Sequence, residues 1–156
     1  MILTNFLVGL PAMLLCLAIQ AYVAFWCVRY FVRRVRQMKP EPEDYARAGL
    51  RPLLVAMVAM MLGTFVQVGL WGGLFVVLGE FAELYDAVYH SAVNFASLGY
   101  GDIVMSKDWR LLGALEAING VLMLGMSAAA LMVILQQLVK LQFGGDARAA
   151  VDDGQQ

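Results

Sequence analysis

Three long apolar runs and one short one, set apart by polar stretches, organise this chain. The first extends from Ile2 to about Val28 and carries Asn5 and Gln20 as its strongly polar positions. The second covers 53–79, broken only by Thr64 and Gln67, and the third covers 111–141, with Glu116, Asn119, Gln136 and Gln137 toward its ends. A helix needs about 20 residues to cross a hydrocarbon core of ~30 Å, and all three runs exceed that. A soluble fold could bury one such run, but hardly three. The short run, 84–96, would reach about 20 Å as a helix, too little to cross. It must enter and leave on the same face, a re-entrant arrangement tolerated only when buried in protein. The pattern predicts an all-α membrane protein with three transmembrane helices, a re-entrant helix and the loop that follows it.

The same pattern divides the chain. Residues 1–37 form an accessory N-terminal transmembrane helix, in which Pro11 either kinks the helix or marks where it becomes regular. Its apolar stretch is too long for a signal peptide and lacks a basic start, so it reads as a retained helix. Residues 38–52, with Pro40, Pro42, Gly49 and Pro52, read as a linker holding one short helix near Glu43 to Ala48. The central unit is 53–141: outer helix 53–79, short helix 84–96, loop 97–102 and inner helix 111–141. Residues 142–156, rich in Gly, Asp and Gln, read as a disordered tail.

Composition supports this division: 62% of the residues are hydrophobic and the mean hydropathy is +0.72, well above a soluble domain. The charges set an orientation. Arg29, Arg33, Arg34, Arg36, Lys39, Arg47 and Arg51 lie between the first and second runs, and Lys140 and Arg148 follow the third. Only Lys107 and Arg110 fall between the second and third. Basic residues gather on the cytoplasmic side, which places the N-terminus outside and the C-terminus inside. Arg29, Arg33 and Arg36 share a helical face, but at the cytoplasmic end of a span such side chains snorkel to headgroups rather than sense voltage. Glu80, Glu83, Asp86, Asp102 and Asp108 outweigh the two basic residues of the outer loop. That excess makes the loop either a rim that concentrates cations or an ordinary solvated loop. A net charge of −1 argues against nucleic-acid binding.

The outer loop also carries Ser97-Leu98-Gly99-Tyr100-Gly101-Asp102. Stacked rings of main-chain carbonyls can replace the water of a dehydrated potassium ion. To line one side of a pore, residues must alternate between ordinary and left-handed backbone, and glycine adopts the latter at little steric cost. Gly99 and Gly101 stand at alternate positions. Tyr100 between them can wedge into the pore wall, and Asp102 can tie the loop down at the mouth. One motif supplies one wall, so four copies must surround the pore, most economically as a homotetramer.

These residues resemble the selectivity filter of the tetrameric potassium channels, Thr-Val-Gly-Tyr-Gly-Asp. The likeness runs from about Leu53 to Leu141 and is closest to the small prokaryotic channels of the two-helix pore type, with one helix added in front. The resemblance implies a potassium-selective pore in the bacterial inner (plasma) membrane. Ions would be held by carbonyls of Ser97, Leu98, Gly99 and Tyr100, with the Ser97 hydroxyl as innermost ligand and Gly101 shaping the outer exit. Ser97 stands for threonine and Leu98 for valine, which keeps open a channel passing both potassium and sodium. A non-conducting subunit that retains the pore fold is the rival from another class. The family places a gating hinge where Gly120 and Gly125 lie; close helix packing is the equal alternative. No part is large enough to sense nucleotide or calcium, so such gating would need a cytoplasmic regulator. Potassium ions and lipid are the expected companions, with no organic cofactor.

Glu116 and Asn119 share a helical face and read either as a brace between inner helix and short helix or as a proton-sensitive gate. His90 reads as a packing element or a proton sensor. Ser106 is placed to cap the third helix. Cys16 and Cys27, without further ligands nearby, make no metal site. No nucleophile elbow, phosphate loop or histidine pair suggests an enzyme.

Overall fold

The structure, a computed structural model, describes the backbone of residues 2–37 and 45–153 and the side chains of residues 2–34 and 50–140. Four helices follow one another: α1 (Ile2–Gln37), α2 (Tyr45–Val77), α3 (Leu84–Phe95) and α4 (Arg110–Asp153), with no strand among the described residues. Segments Ile2–Arg34, Leu50–Val77 and Arg110–Lys140 are each long and apolar enough to span a membrane, whereas α3, at 12 residues, is not. Helix α1 lies against both α2 and α4, and α3 is held between α2 and α4.

Pro11 sits inside α1, which leaves the first of its two readings, a position within the helix, and excludes the start. Two boundaries depart from the sequence reading. Residues 45–52, expected as linker, belong to α2, which carries Pro52 internally. Proline removes a single hydrogen bond, to the carbonyl four residues back, and Ala46, Arg47, Ala48 and Leu50 on its N-terminal side are helix formers that offset Gly49. The expected short helix and the second span are therefore one element; residues 38–44 of the expected linker lie outside the described residues. Helix α4 continues to Asp153, through most of the tail expected to be disordered. Extending an existing helix adds a hydrogen bond per residue without a new nucleus, and Ala147, Ala149 and Ala150 favour it over the cost of the Gly144-Gly145 pair. Residues 154–156 lie outside the described residues.

Two apolar clusters stack along the bundle. One gathers Val68, Trp71, Phe75, Phe95, Leu112 and Met123 around α3; the other joins Cys27, Phe31, Ala56, Met60 and Ile134 from α1, α2 and α4. Between them runs a chain of polar side chains at the depth of the membrane. The Gln67 amide donates to Gln20 Oε1 at 2.7 Å, Gln20 Nε2 donates to Ser127 Oγ at 2.6 Å, and Ser127 donates to the Met123 carbonyl at 2.8 Å. Gln20 and Gln67 are fully buried, and in hydrocarbon such groups must find one another. Helix α1 thus bridges α2 and α4. Nearer the N-terminus of α1, the Asn5 amide donates to the Asp108 carbonyl at 2.8 Å, a second tie from α1 to the start of α4.

Candidate functional site

Helices α2 and α3 end in the same hydrogen-bond pattern with different residues at the critical place. After α2, Gly79 N–H reaches the Val76 carbonyl and Glu80 N–H the Phe75 carbonyl, at 2.9 and 3.1 Å. After α3, Ser97 N–H reaches Asn94 and Leu98 N–H reaches Val93, at 2.8 and 2.9 Å. Both are Schellman closures, which need left-handed backbone at the residue after the cap. Gly79 supplies it at φ 76° and Ser97 at φ 57°. The left-handed region costs a residue with a Cβ roughly 1–2 kcal/mol, so Ser97 is held there by its surroundings. Nothing in the residue type signals this.

From Ser97 onward the loop alternates. Ser97, Gly99 and Gly101 have φ of 57°, 61° and 72°, whereas Leu98 and Tyr100 between them have negative φ. Residues 97–102 lie on the surface of the single chain. The Tyr100 ring is 66% exposed, so its own subunit provides no wall for it to wedge against.

The far end of the loop is tied back to α3. Tyr89 O–H donates to Asp102 Oδ2 at 2.7 Å, and Ile103 N–H donates to Asp102 Oδ1 at 3.0 Å. The Tyr89 bond holds the Asp102 carboxyl below the usual carboxylate range, assisted by the Ile103 N–H. Its partner, the Tyr89 hydroxyl, is pushed up for the same reason. The next residue along α3, His90, makes a second tie. The Ile103 carbonyl can only accept, so Nδ1 carries the proton across their 3.0 Å contact, and the Asn94 amide donates to Nε2 at 2.8 Å. The ring packs against Phe75 and Phe81. Burial draws the His90 pKa down, consistent with a neutral packing element. Beyond the loop, Ser106 gives its N–H and its hydroxyl to the two oxygens of Glu80, both at 2.7 Å. Ser106, expected to cap α4, makes cap bonds one turn ahead of Arg110: its Oγ accepts the Asp108 N–H at 3.3 Å and its carbonyl accepts the Arg110 N–H at 3.1 Å, as an N-cap residue does.

The inner helix meets the loop's support from behind. A Cβ on Gly120 would overlap the Phe95 carbonyl oxygen and lie 2.8 Å from its carbon and 3.0 Å from Phe95 Cα. Gly120 therefore lets α4 touch the last turn of α3, two residues before Ser97. Gly125 has no neighbour within 4 Å of such a Cβ. Glu116 and Asn119, fully buried, diverge: Glu116 meets the Ser91 hydroxyl of α3, while Asn119 faces Cys16 of α1. Cys16 and Cys27 are buried free thiols, and no cluster of metal-ligating side chains forms among the described residues.

Sequence reading singled out the loop, Asp102, Gly120, Gly125, Glu116 and Asn119, and the structure gathers all but Gly125 and Asn119 around the C-terminal half of α3 and the loop that leaves it. It missed Tyr89, Ser91 and Asn94, whose polar side chains sit on α3 without a motif to mark them. No curated protein and no solved structure matches the chain. Residues 60–137, half of the chain, match the family described as ion channel. That stretch begins on the membrane-spanning part of α2, contains the re-entrant helix with its glycine loop, and ends on α4. The chain is an integral membrane protein and belongs to the ion channel family, of the type built on a two-helix potassium-channel pore.

Proposed function

We propose that this protein is a potassium-selective channel, formed by four copies around one axis, through which potassium passes downhill. The observation that carries the reading is the alternation at 97–101. Left-handed backbone at every second residue, closing a helix too short to span, is what inward-facing carbonyls require. Carbonyls of Ser97, Leu98, Gly99 and Tyr100 bind the ion, with the Ser97 hydroxyl as innermost ligand and Gly101 shaping the outer exit. Asp102 anchors the outer mouth through Tyr89. The exposed apolar face of α4, with Ile118, Val121, Leu122 and Leu124 uncovered in the single chain, lines the cavity and meets neighbouring subunits. In this reading the N-terminus lies outside and the C-terminus in the cytoplasm, as the basic residues between the first and second apolar runs favour.

Reconstitution into vesicles with a potassium gradient tests it. The expected result is a reversal potential that follows the potassium gradient and ignores sodium, lost in Gly99→Ala, where a side chain would be strained at φ 61°. Equal flux of sodium and potassium would replace the reading with a weakly selective cation channel. An assembled tetramer without flux would make it a non-conducting subunit.

A further inference from the structure

Glu116 lies where α4 crosses the back of α3, and its hydrogen bonds do not balance unless it carries a proton. Its Oε1 meets the Ser91 hydroxyl, and that hydroxyl lies 2.8 Å from the Val68 main-chain carbonyl of α2. Ser91 and Glu116 are fully buried. A serine hydroxyl has one proton to give, a carbonyl oxygen has none, and an ionised carboxylate has none. With Glu116 ionised, Ser91 could satisfy only one of its two neighbours, leaving two acceptors face to face. With Glu116 as the acid, the protons run in one direction: Glu116 to Ser91, Ser91 to the Val68 carbonyl.

The surroundings agree. From α1, Cys16 faces the site; from α2, the Trp71 indole; from α3, Ser91 and Asn94; from α4 itself, Asn119. None carries a positive charge. His90, the nearest histidine on α3, spends both ring nitrogens on Ile103 and Asn94. An unpaired carboxylate at membrane depth is costly, whereas a neutral acid carries no charge to compensate and can place its proton on the Ser91 oxygen.

We propose that Glu116 is a neutral carboxylic acid whose proton latches the inner helix to the re-entrant helix and, through Ser91, to the outer helix. A single line of hydrogen bonds then joins α4, α3 and α2, six residues upstream of Ser97. Removing that proton to solvent turns Ser91 toward the carboxylate and frees the Val68 carbonyl, so α2 loses this hydrogen bond to α3.

The full-length protein reconstituted in vesicles tests this by infrared difference spectroscopy at pH 7, which needs no conduction and so stands apart from the channel reading. The expected wild-type minus Glu116→Gln spectrum contains the carbonyl band of a protonated acid. An amide N–H donates to Ser91 as the acid O–H does, so Glu116→Gln should keep the wild-type thermal midpoint while Glu116→Ala and Ser91→Ala lower it. A carboxylate band in place of the acid band overturns the proposal, as does a Glu116→Gln midpoint that falls as far as that of Glu116→Ala.

Discussion

The same substitution placed five residues apart on α4 should have opposite consequences. In Gly120→Ala the added methyl falls on the Phe95 carbonyl and within 3.0 Å of Phe95 Cα. The obstacle is main chain, so no rotamer change relieves it; α4 and the end of α3 must move apart. Overpacking of this kind costs about 1–3 kcal/mol. Each ~1.4 kcal/mol is tenfold in an equilibrium, so the ratio of folded to unfolded protein should fall by a factor on the order of 5 to 150. In Gly125→Ala the methyl meets nothing within 4 Å, and replacing glycine in a helix interior gains up to ~1 kcal/mol. Thermal unfolding of the purified protein, followed by tryptophan fluorescence, measures both. Gly120→Ala should melt lower than wild type and Gly125→Ala at or above it. Because Phe95 lies two residues before Ser97, Gly120→Ala should also lower ion flux through the protein that remains folded. Equal midpoints for the two variants would refute the argument, since only the contact with Phe95 separates them.

Two further outcomes follow from the polar ties. Asp102 has its pKa lowered in the folded chain, first by Tyr89. Its contribution is therefore present above the ordinary carboxylate value of ~3.9 and is lost as pH falls through the lower folded value. Tyr89→Phe returns Asp102 toward the ordinary value, so flux should fail at a higher external pH than in wild type; coincident acid profiles would remove Asp102 from the role of anchor. Gln20→Leu removes two interhelical bonds, each worth roughly 0.6 kcal/mol and at most ~1.7 inside a membrane. It should lower stability by about 1–3 kcal/mol, and adding Gln67→Leu should cost less than the sum because the stranded amide disappears with it. Strict additivity in thermal unfolding would show that the two amides do not interact.

The loop was legible because glycine at alternate positions states a backbone requirement in the residue type itself, and α3 was legible because its length excludes a span. Its boundaries, expected as 84–96, differ by one residue from Leu84–Phe95. Helix ends at Tyr45 and Asp153 were not legible. Prolines and glycines weaken a helix locally, but packing of the flanking segment decides whether it continues, and packing is not written in a single stretch. Ser97 was marked as an ion ligand and not as a left-handed residue, since serine carries no sign of that conformation. Gln20 and Gln67 stood out as polar interruptions of apolar runs. Their pairing, 47 residues apart in the chain, becomes visible only when α1 folds back between α2 and α4.

That pairing bears on how such an architecture could arise or be undone. A two-helix pore stripped of α1 would turn the Gln67 amide and the Ser127 hydroxyl toward lipid tails, where neither finds water. Shedding the leading helix strands the Gln67 amide, whereas Ser127 keeps its bond to the Met123 carbonyl: a version without α1 is better served by an apolar residue at position 67. Position 20, which takes one hydrogen bond and gives another, restricts selection to side chains that can do both.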